Sequence, residues 1–303
     1  VLVLGHFDTV WPRGTLAAQP FRVADGRAYG PGSFDMKAGL VLLEFALAAI
    51  RAQGRELRRP IVVLWTTDEE IGSPGSRAAI EAEARGAAFV LVLEPPLPGG
   101  HVKTARKGVG RFQLVAQGRP AHAGIEPEKG ISAVVELAHQ VLRLQGLNDP
   151  SAGTTVNVGV IQGGTVANVV PALATATIDV RVATRAEADR IEAALRTLAP
   201  VLPGARVRAE GGFNRPPMER SPRSAALFAQ LQSIGRTLGL ELGEGSTGGG
   251  SDGNFTAALG VPTLDGLGAP GAGAHAVDEH ILTATFPERA ALLAEALLSL
   301  EEP

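Results

Sequence analysis

The segment IVVLWTTDEEIG (residues 61–72) opens on a run of β-branched and large apolar residues and passes, with almost no spacer, into three acids. Its apolar part is too short for a helix and reads as a fully buried parallel strand at 61–65. Two other runs share that character: VLVL (1–4), followed by His6 and Asp8, and FVLVL (89–93), followed by Glu94. Between them, residues 36–52 and 76–85 carry apolar side chains at helical spacing. Further on, 224–238 reads as a helix, 261–267 as a strand and 288–300 as a closing helix. Strands alternating with helices predict an α/β domain built on a doubly wound mixed sheet.

The middle of the chain has another rhythm. RFQLVAQG (111–118), TTVNVGVI (154–161), ATATIDVRV (174–182) and ARVRAE (205–210) read as strands, with helices at 131–144 and 186–198. The order β-α-β-β-α-β is that of a ferredoxin-like α+β sandwich. The α/β pattern resumes beyond it. A discontinuous catalytic domain, 1–107 plus 217–303, with a domain inserted at 108–216 is therefore expected.

Composition narrows the function classes. The 303 residues are 45% hydrophobic and 19% charged, with a formal charge of −3, which excludes wholesale disorder and gives no electrostatic footprint for nucleic acid. No stretch is apolar for long enough to span a bilayer. With no Cys there is neither a thiolate metal site nor a cysteine nucleophile. No charged leader precedes the strand at Val1, so the expected compartment is the cytoplasm.

The placement of acids and histidines carries the chemistry. In open α/β sheets ligands bind beyond the carboxyl ends of the strands, and three strands here deliver His6, Glu69–Glu70 and Glu94 to that edge. Asp35 lies in a Gly-rich turn, GPGSFDMKAG, and the loop GLGAPGAGAH leads to His275. His, Asp and Glu are the ligands of catalytic zinc. Five of them, His6, Asp35, Glu70, Glu94 and His275, exceed one four-coordinate ion and suit two ions sharing a carboxylate. Two dications also balance carboxylates that would otherwise repel. Successive side chains of an extended segment point apart, so Glu70 is assigned as ligand and Glu69 as general base. Asp8 is expected to orient the ring of His6.

Each residue alone has a plainer explanation. His6 could be a hydrogen-bonded core residue, the DEE cluster a solvated turn, and Asp35 a helix N-cap. Joint arrival at strand ends defeats these. His101, His139 and His280 keep the plain explanation, although His280 competes with His275 as ligand. GSTGGGSDG (245–253) lacks the GK[ST] ending of a phosphate loop. It reads as a turn whose backbone N–H groups, Gly249 among them, can hold a carboxylate or oxyanion. No G-x-S-x-G elbow supports a serine nucleophile.

The motifs GHFDTV, YGPGSFDMKAG, TTDEEIGS, LEP, GRPAHAG, GGTVANVVP, TGGGSDG and GAGAH occur in the order found in the co-catalytic dinuclear zinc aminoacylase/carboxypeptidase family. The chain resembles that family, above all its bacterial glutamate carboxypeptidase branch, over essentially its whole length. The resemblance implies that Asp35 bridges two zinc ions, with His6 and Glu94 on one and Glu70 and His275 on the other; cobalt or manganese can substitute. It implies a homodimer formed through the inserted domain, with His122 reaching the other copy's site to stabilise an oxyanion. Asn168 and Arg181 match positions that bind the substrate's terminal carboxylate, and Arg215 matches a further one. Members of the family normally carry a helix and a strand or two ahead of GHFDTV that this sequence lacks.

The expected function is hydrolysis of the amide bond next to a free C-terminal carboxylate. An N-acyl-amino-acid deacylase or desuccinylase with the same metal centre is the alternative. A non-catalytic amino-acid-binding homologue is a distant third, since it predicts lost ligands and none is lost.

Overall fold

The computed structural model describes residues 1–303, which divide into two units: Val1–Arg106 with Met218–Pro303, and Lys107–Pro217.

The first unit is organised by a four-stranded sheet in the order Thr263–Leu264, Val90–Val92, Leu2–His6, Val62–Thr66. All of its pairings are parallel, so this sheet is not mixed as expected. Antiparallel pairing is instead confined to a separate sheet of Gly271–Ala272, His280–Leu282, Arg27–Tyr29 and Arg22–Ala24. Strand alternation splits the apolar core in two. Val3 and Leu91 pack on one face with helices Ala38–Ala52 and Phe286–Ser299; Leu2, Leu4, Val90 and Val92 pack on the other with Ile80, Ala84 and Phe255.

The segment at 61–65 departs from expectation. The strand runs Val62–Thr66 and lies at the sheet edge, with Val62, Val63 and Trp65 exposed by 38–41%. A strand paired on one side only, with a face left uncovered, does not become fully buried however apolar its residues. The strand expected at 261–267 is only Thr263–Leu264, because Asp265 pairs instead with Lys103 in an isolated antiparallel bridge.

The Lys107–Pro217 unit has an antiparallel sheet in the order Arg206–Arg215, Gly108–Gln117, Leu173–Val182, Thr155–Gly163. Helices Ala133–Gln145 and Arg185–Arg196 cover one face. Numbered within the unit, that order is 4-1-3-2 with β-α-β-β-α-β connectivity, the ferredoxin-like arrangement.

Candidate metal centre

His6 closes the central strand and is buried. The neighbouring strands run to opposite sides of it in sequence order, which makes the crevice at its carboxyl end a topological switch point. Glu94 lies just beyond Val90–Val92 in that crevice. The backbone there is crossed closely: a Cβ on Gly268 would stand 2.5 Å from the Leu93 carbonyl and 2.8 Å from that of Glu94. His275 sits on the hairpin between Gly271–Ala272 and His280–Leu282, with φ of 63°. Few non-glycine residues adopt that left-handed conformation, and those that do cluster at functional sites.

Asp35 faces both histidines. Its Oδ1 lies 3.3 Å from His6 Nε2 and its Oδ2 lies 3.3 Å from His275 Nε2. Glu94 Oε1 completes the first set at 3.6 Å from His6, and Glu70 Oε2 the second at 3.4 Å from His275. These separations are longer than good hydrogen bonds. They match the edge of a ligand tetrahedron, since donors about 2.1 Å from one ion stand about 3.4 Å apart. His6 Nε2 and Glu70 Oε1 are buried without a hydrogen-bond partner. A divalent cation is the group that would satisfy both, and the all-nitrogen-and-oxygen donor set suits zinc.

Electrostatics of the bare cluster point the same way. Burial opposes a charged His6, yet Asp35, Asp8 and Glu94 together hold its pKa far above the imidazole range. Burial, reinforced by Asp35, pushes the Glu70 carboxyl up. Asp8 lies with Oδ1 3.3 Å from His6 Nδ1, while Oδ2 accepts the Glu70 N–H at 3.0 Å, so one carboxylate spans two strand ends. The better aligned partner of that ring nitrogen is the Asp8 backbone carbonyl, at 3.2 Å.

Glu69 and Glu70 are not on an extended segment as expected; Glu69–Ile71 forms a 3₁₀ turn. The turn still separates them. Glu69 offers an oxygen within 4.8 Å of donors on His6 and Glu94, and Glu70 groups with His6 and Asp35. Asp68, the first acid of the cluster, accepts the Gly75 and Ser76 N–H groups and anchors the following loop.

The cluster opens on a cavity of about 580 Å³ that Glu69, Thr247 and Gly249 line together with two cations that sequence reasoning missed, Lys103 and Arg106. Arg106 is buried and bidentate to Asp265, and also donates to the carbonyls of Gly249 and Gly250. Lys103 is buried too and forms no ion pair. Their signal was available: two bases on a short strand, Val102–Arg106, shortly after Glu94. Glu279 was also missed; it binds the Asp35 turn.

The other histidines have separate duties. His280 packs its ring against Tyr29, with Nδ1 2.8 Å from the Asp278 carbonyl, and stays outside the cluster. His101 accepts the Gly243 N–H. In the Lys107–Pro217 unit, His122 is exposed, pairs as an isolated bridge with Val169, and accepts the Gly124 N–H; the neighbouring Asn168 carbonyl accepts from Ala123. Arg181 is ion-paired to Asp179 at 2.8 Å, and Arg215 is buried.

A parallel α/β sheet with His, Asp and Glu donors gathered at its switch point defines a metal-dependent hydrolase. The profile of peptidase family M20/M25/M40 matches residues 2–299, and the chain belongs to that family. It is 35% identical over 311 residues to carboxypeptidase G2 of a Pseudomonas species, covering 99% of this chain and 74% of that protein. It is 30% identical over 301 residues to a succinyl-diaminopimelate desuccinylase of Verminephrobacter eiseniae, covering 93% and 74%. Among solved structures, aminopeptidase PepT of Bacillus cereus superposes with a TM-score of 0.82 at 24% identity, over 98% of this chain and 79% of that one. The protein is a hydrolase of the metallocarboxypeptidase type, and no helix in it is long and apolar enough to cross a membrane.

Proposed function

We propose that the protein cleaves the amide bond adjoining the free carboxylate of a C-terminal amino acid, with a glutamyl-type substrate preferred, using two zinc-type cations. The observation that carries this is Asp35, with one oxygen turned to each histidine. His6 and Glu94 would hold one cation, Glu70 and His275 the other, and Asp35 both. When bound, the cations polarise the scissile carbonyl and lower the pKa of the attacking water toward about 7. Glu69 takes that water's proton and delivers it to the departing amine. Asp8 fixes the His6 ring.

Lys103, unpaired in the cavity wall, and the turn at Gly249 supply the anion-binding side of the pocket. The resemblance to the family, through GGTVANVVP for Asn168, the strand ATATIDVRV for Arg181 and GGFNRPP for Arg215, supports assigning these three to the terminal carboxylate, with Arg181 exchanging Asp179 for substrate. It likewise supports a homodimer through 108–216, in which His122 stabilises the oxyanion at the other copy's site. The likeness to a desuccinylase keeps an N-acyl-amino-acid substrate as the second reading.

The test is a panel on zinc- or cobalt-loaded protein: a C-terminal glutamyl peptide, its C-terminal amide, and N-acetyl and N-succinyl amino acids. Cleavage of the free-carboxylate peptide at least a hundredfold faster than its amide is expected. Equal rates on the two would overturn the proposal, and preference for the acyl amino acids would select the second reading.

A further inference from the structure

Glu279 is buried, lies outside the ligand set, and has every acceptor position filled. Oε1 accepts the backbone N–H groups of Phe34 and Asp35, both at 2.9 Å. Oε2 accepts the Gly32 N–H at 2.8 Å and the indole N–H of Trp11 at 3.1 Å. Its own carbonyl accepts the Gly30 N–H. From the hairpin that carries His275, a single carboxylate thus holds two other segments: the turn that presents Asp35 and the loop that follows His6 and Asp8. The Gly32 φ of 72° and the packing of Thr9 and Lys37 around that residue leave the turn little other way to lie.

We infer that Glu279 is a positioning residue for the two-cation site, fixing the Asp35 turn so that both oxygens of that carboxylate are set at once and the two cations load as a coupled pair. The inference rests on the two-cation reading above. The Glu279 carboxyl oxygens accept from four N–H donors. A Gln there keeps the shape but turns an NH₂ toward N–H donors, and removes the charge that strengthens all four bonds. Since Asp35 faces both histidines, the disturbance reaches both donor sets together.

The experiment titrates zinc or cobalt into metal-free wild type, E279Q and W11F, with calorimetry and cobalt absorption as readouts and thermal melting of the metal-free proteins as control. Wild type is expected to take two ions; fewer would sink the two-cation reading itself and not the role of Glu279. E279Q is expected to bind both ions at least tenfold more weakly. A role in folding alone would lower the melting temperature and leave both affinities of the folded protein untouched. In a W65F background Trp11 is the remaining tryptophan, and its emission should respond to loading in W65F and not in W65F/E279Q. Folded E279Q that binds both ions within twofold of wild type, or loses only one of the two steps, overturns the inference. Should E279Q fail to fold, W11F removes one donor and is expected to weaken both steps about threefold; wild-type affinity in W11F is then the overturning result.

Discussion

Arg106 and Asp265 form a buried bidentate pair, Nη2 to Oδ1 at 2.7 Å and Nε to Oδ2 at 2.8 Å, with Arg106 in the wall of the cavity. The pair does more than cancel two charges. Arg106 also lies 3.5 Å from Glu94 Oε2 and donates to Gly249 and Gly250, while Asp265 accepts from Ser251. One ion pair therefore sets the back of the Glu94 carboxylate and the Gly-rich turn beside it.

Breaking that pair from one side leaves a charge buried and alone. R106M is expected to destabilise the protein by about 3–5 kcal/mol, because removing one partner of a buried pair strands the other. R106M/D265L, which removes both charges, should recover most of the loss. Urea unfolding of the two variants measures this. A double variant no more stable than R106M would show that the cost lies in packing and not in the stranded carboxylate.

Glu69 is expected to matter for turnover and not for metal. The role proposed for it is proton transfer, worth typically about 10²–10⁴-fold, and the assigned donor sets close without it. E69Q should keep two ions by elemental analysis, hold its KM within a few-fold, and lose at least two orders of magnitude in kcat. Chelation should abolish wild-type activity, and zinc or cobalt should restore it in wild type alone. Metal loss in E69Q would make Glu69 a ligand instead.

Much of the proposed site was legible because its candidate donors sit where elements end. His6 and Glu94 follow apolar strands, and a strand end is visible as the point where Val and Leu give way to a polar residue. Asp35 and His275 were legible as Gly-flanked polar residues, although their approach to one another depends on a hairpin pairing with Arg27–Tyr29. Glu279 was not legible, since its partners lie more than 240 residues earlier and are backbone N–H groups, which leave no mark in composition. The edge position of Val62–Thr66 was hidden for the opposite reason: β-branched runs look the same whether one side or both are paired.

Lys103 should report on the substrate's charge. Burial, aided by the charge of Arg106, holds its pKa below the usual lysine value, so a substrate anion that pairs with it restores lost stabilisation. K103M is expected to raise KM for a free-carboxylate substrate about tenfold with kcat little changed, the pattern of a contact made equally in ground and transition states. The C-terminal amide of the same peptide should be indifferent to the substitution. Equal KM changes for both substrates would place the substrate's carboxylate elsewhere.

Glu136 makes the acid stability of the Lys107–Pro217 unit predictable. It lies in the first turn of helix Ala133–Gln145 and is fully buried. Both its oxygens accept from Val201, at 3.0 Å, and it also accepts from Leu202 and Gln140 at 2.7 Å. Burial works against its charge, but the Leu202 N–H, Gln140 and the Val201 N–H outweigh it and hold the folded-state pKa below the ordinary value. The unfolded chain titrates near about 4.3. The contribution is therefore complete above that pH and drains away as pH falls through the lower folded-state value, because the unfolded state takes up the proton first. Hydrogen exchange at the Val201 and Leu202 amides measures it in the whole protein. Protection in wild type should exceed that in E136Q by a constant factor from pH 7 to pH 5, and the gap should narrow progressively once the pH falls below about 4.3. A difference that does not narrow at any acidic pH at which the protein remains folded would mean that the carboxylate acts through packing and not through its charge.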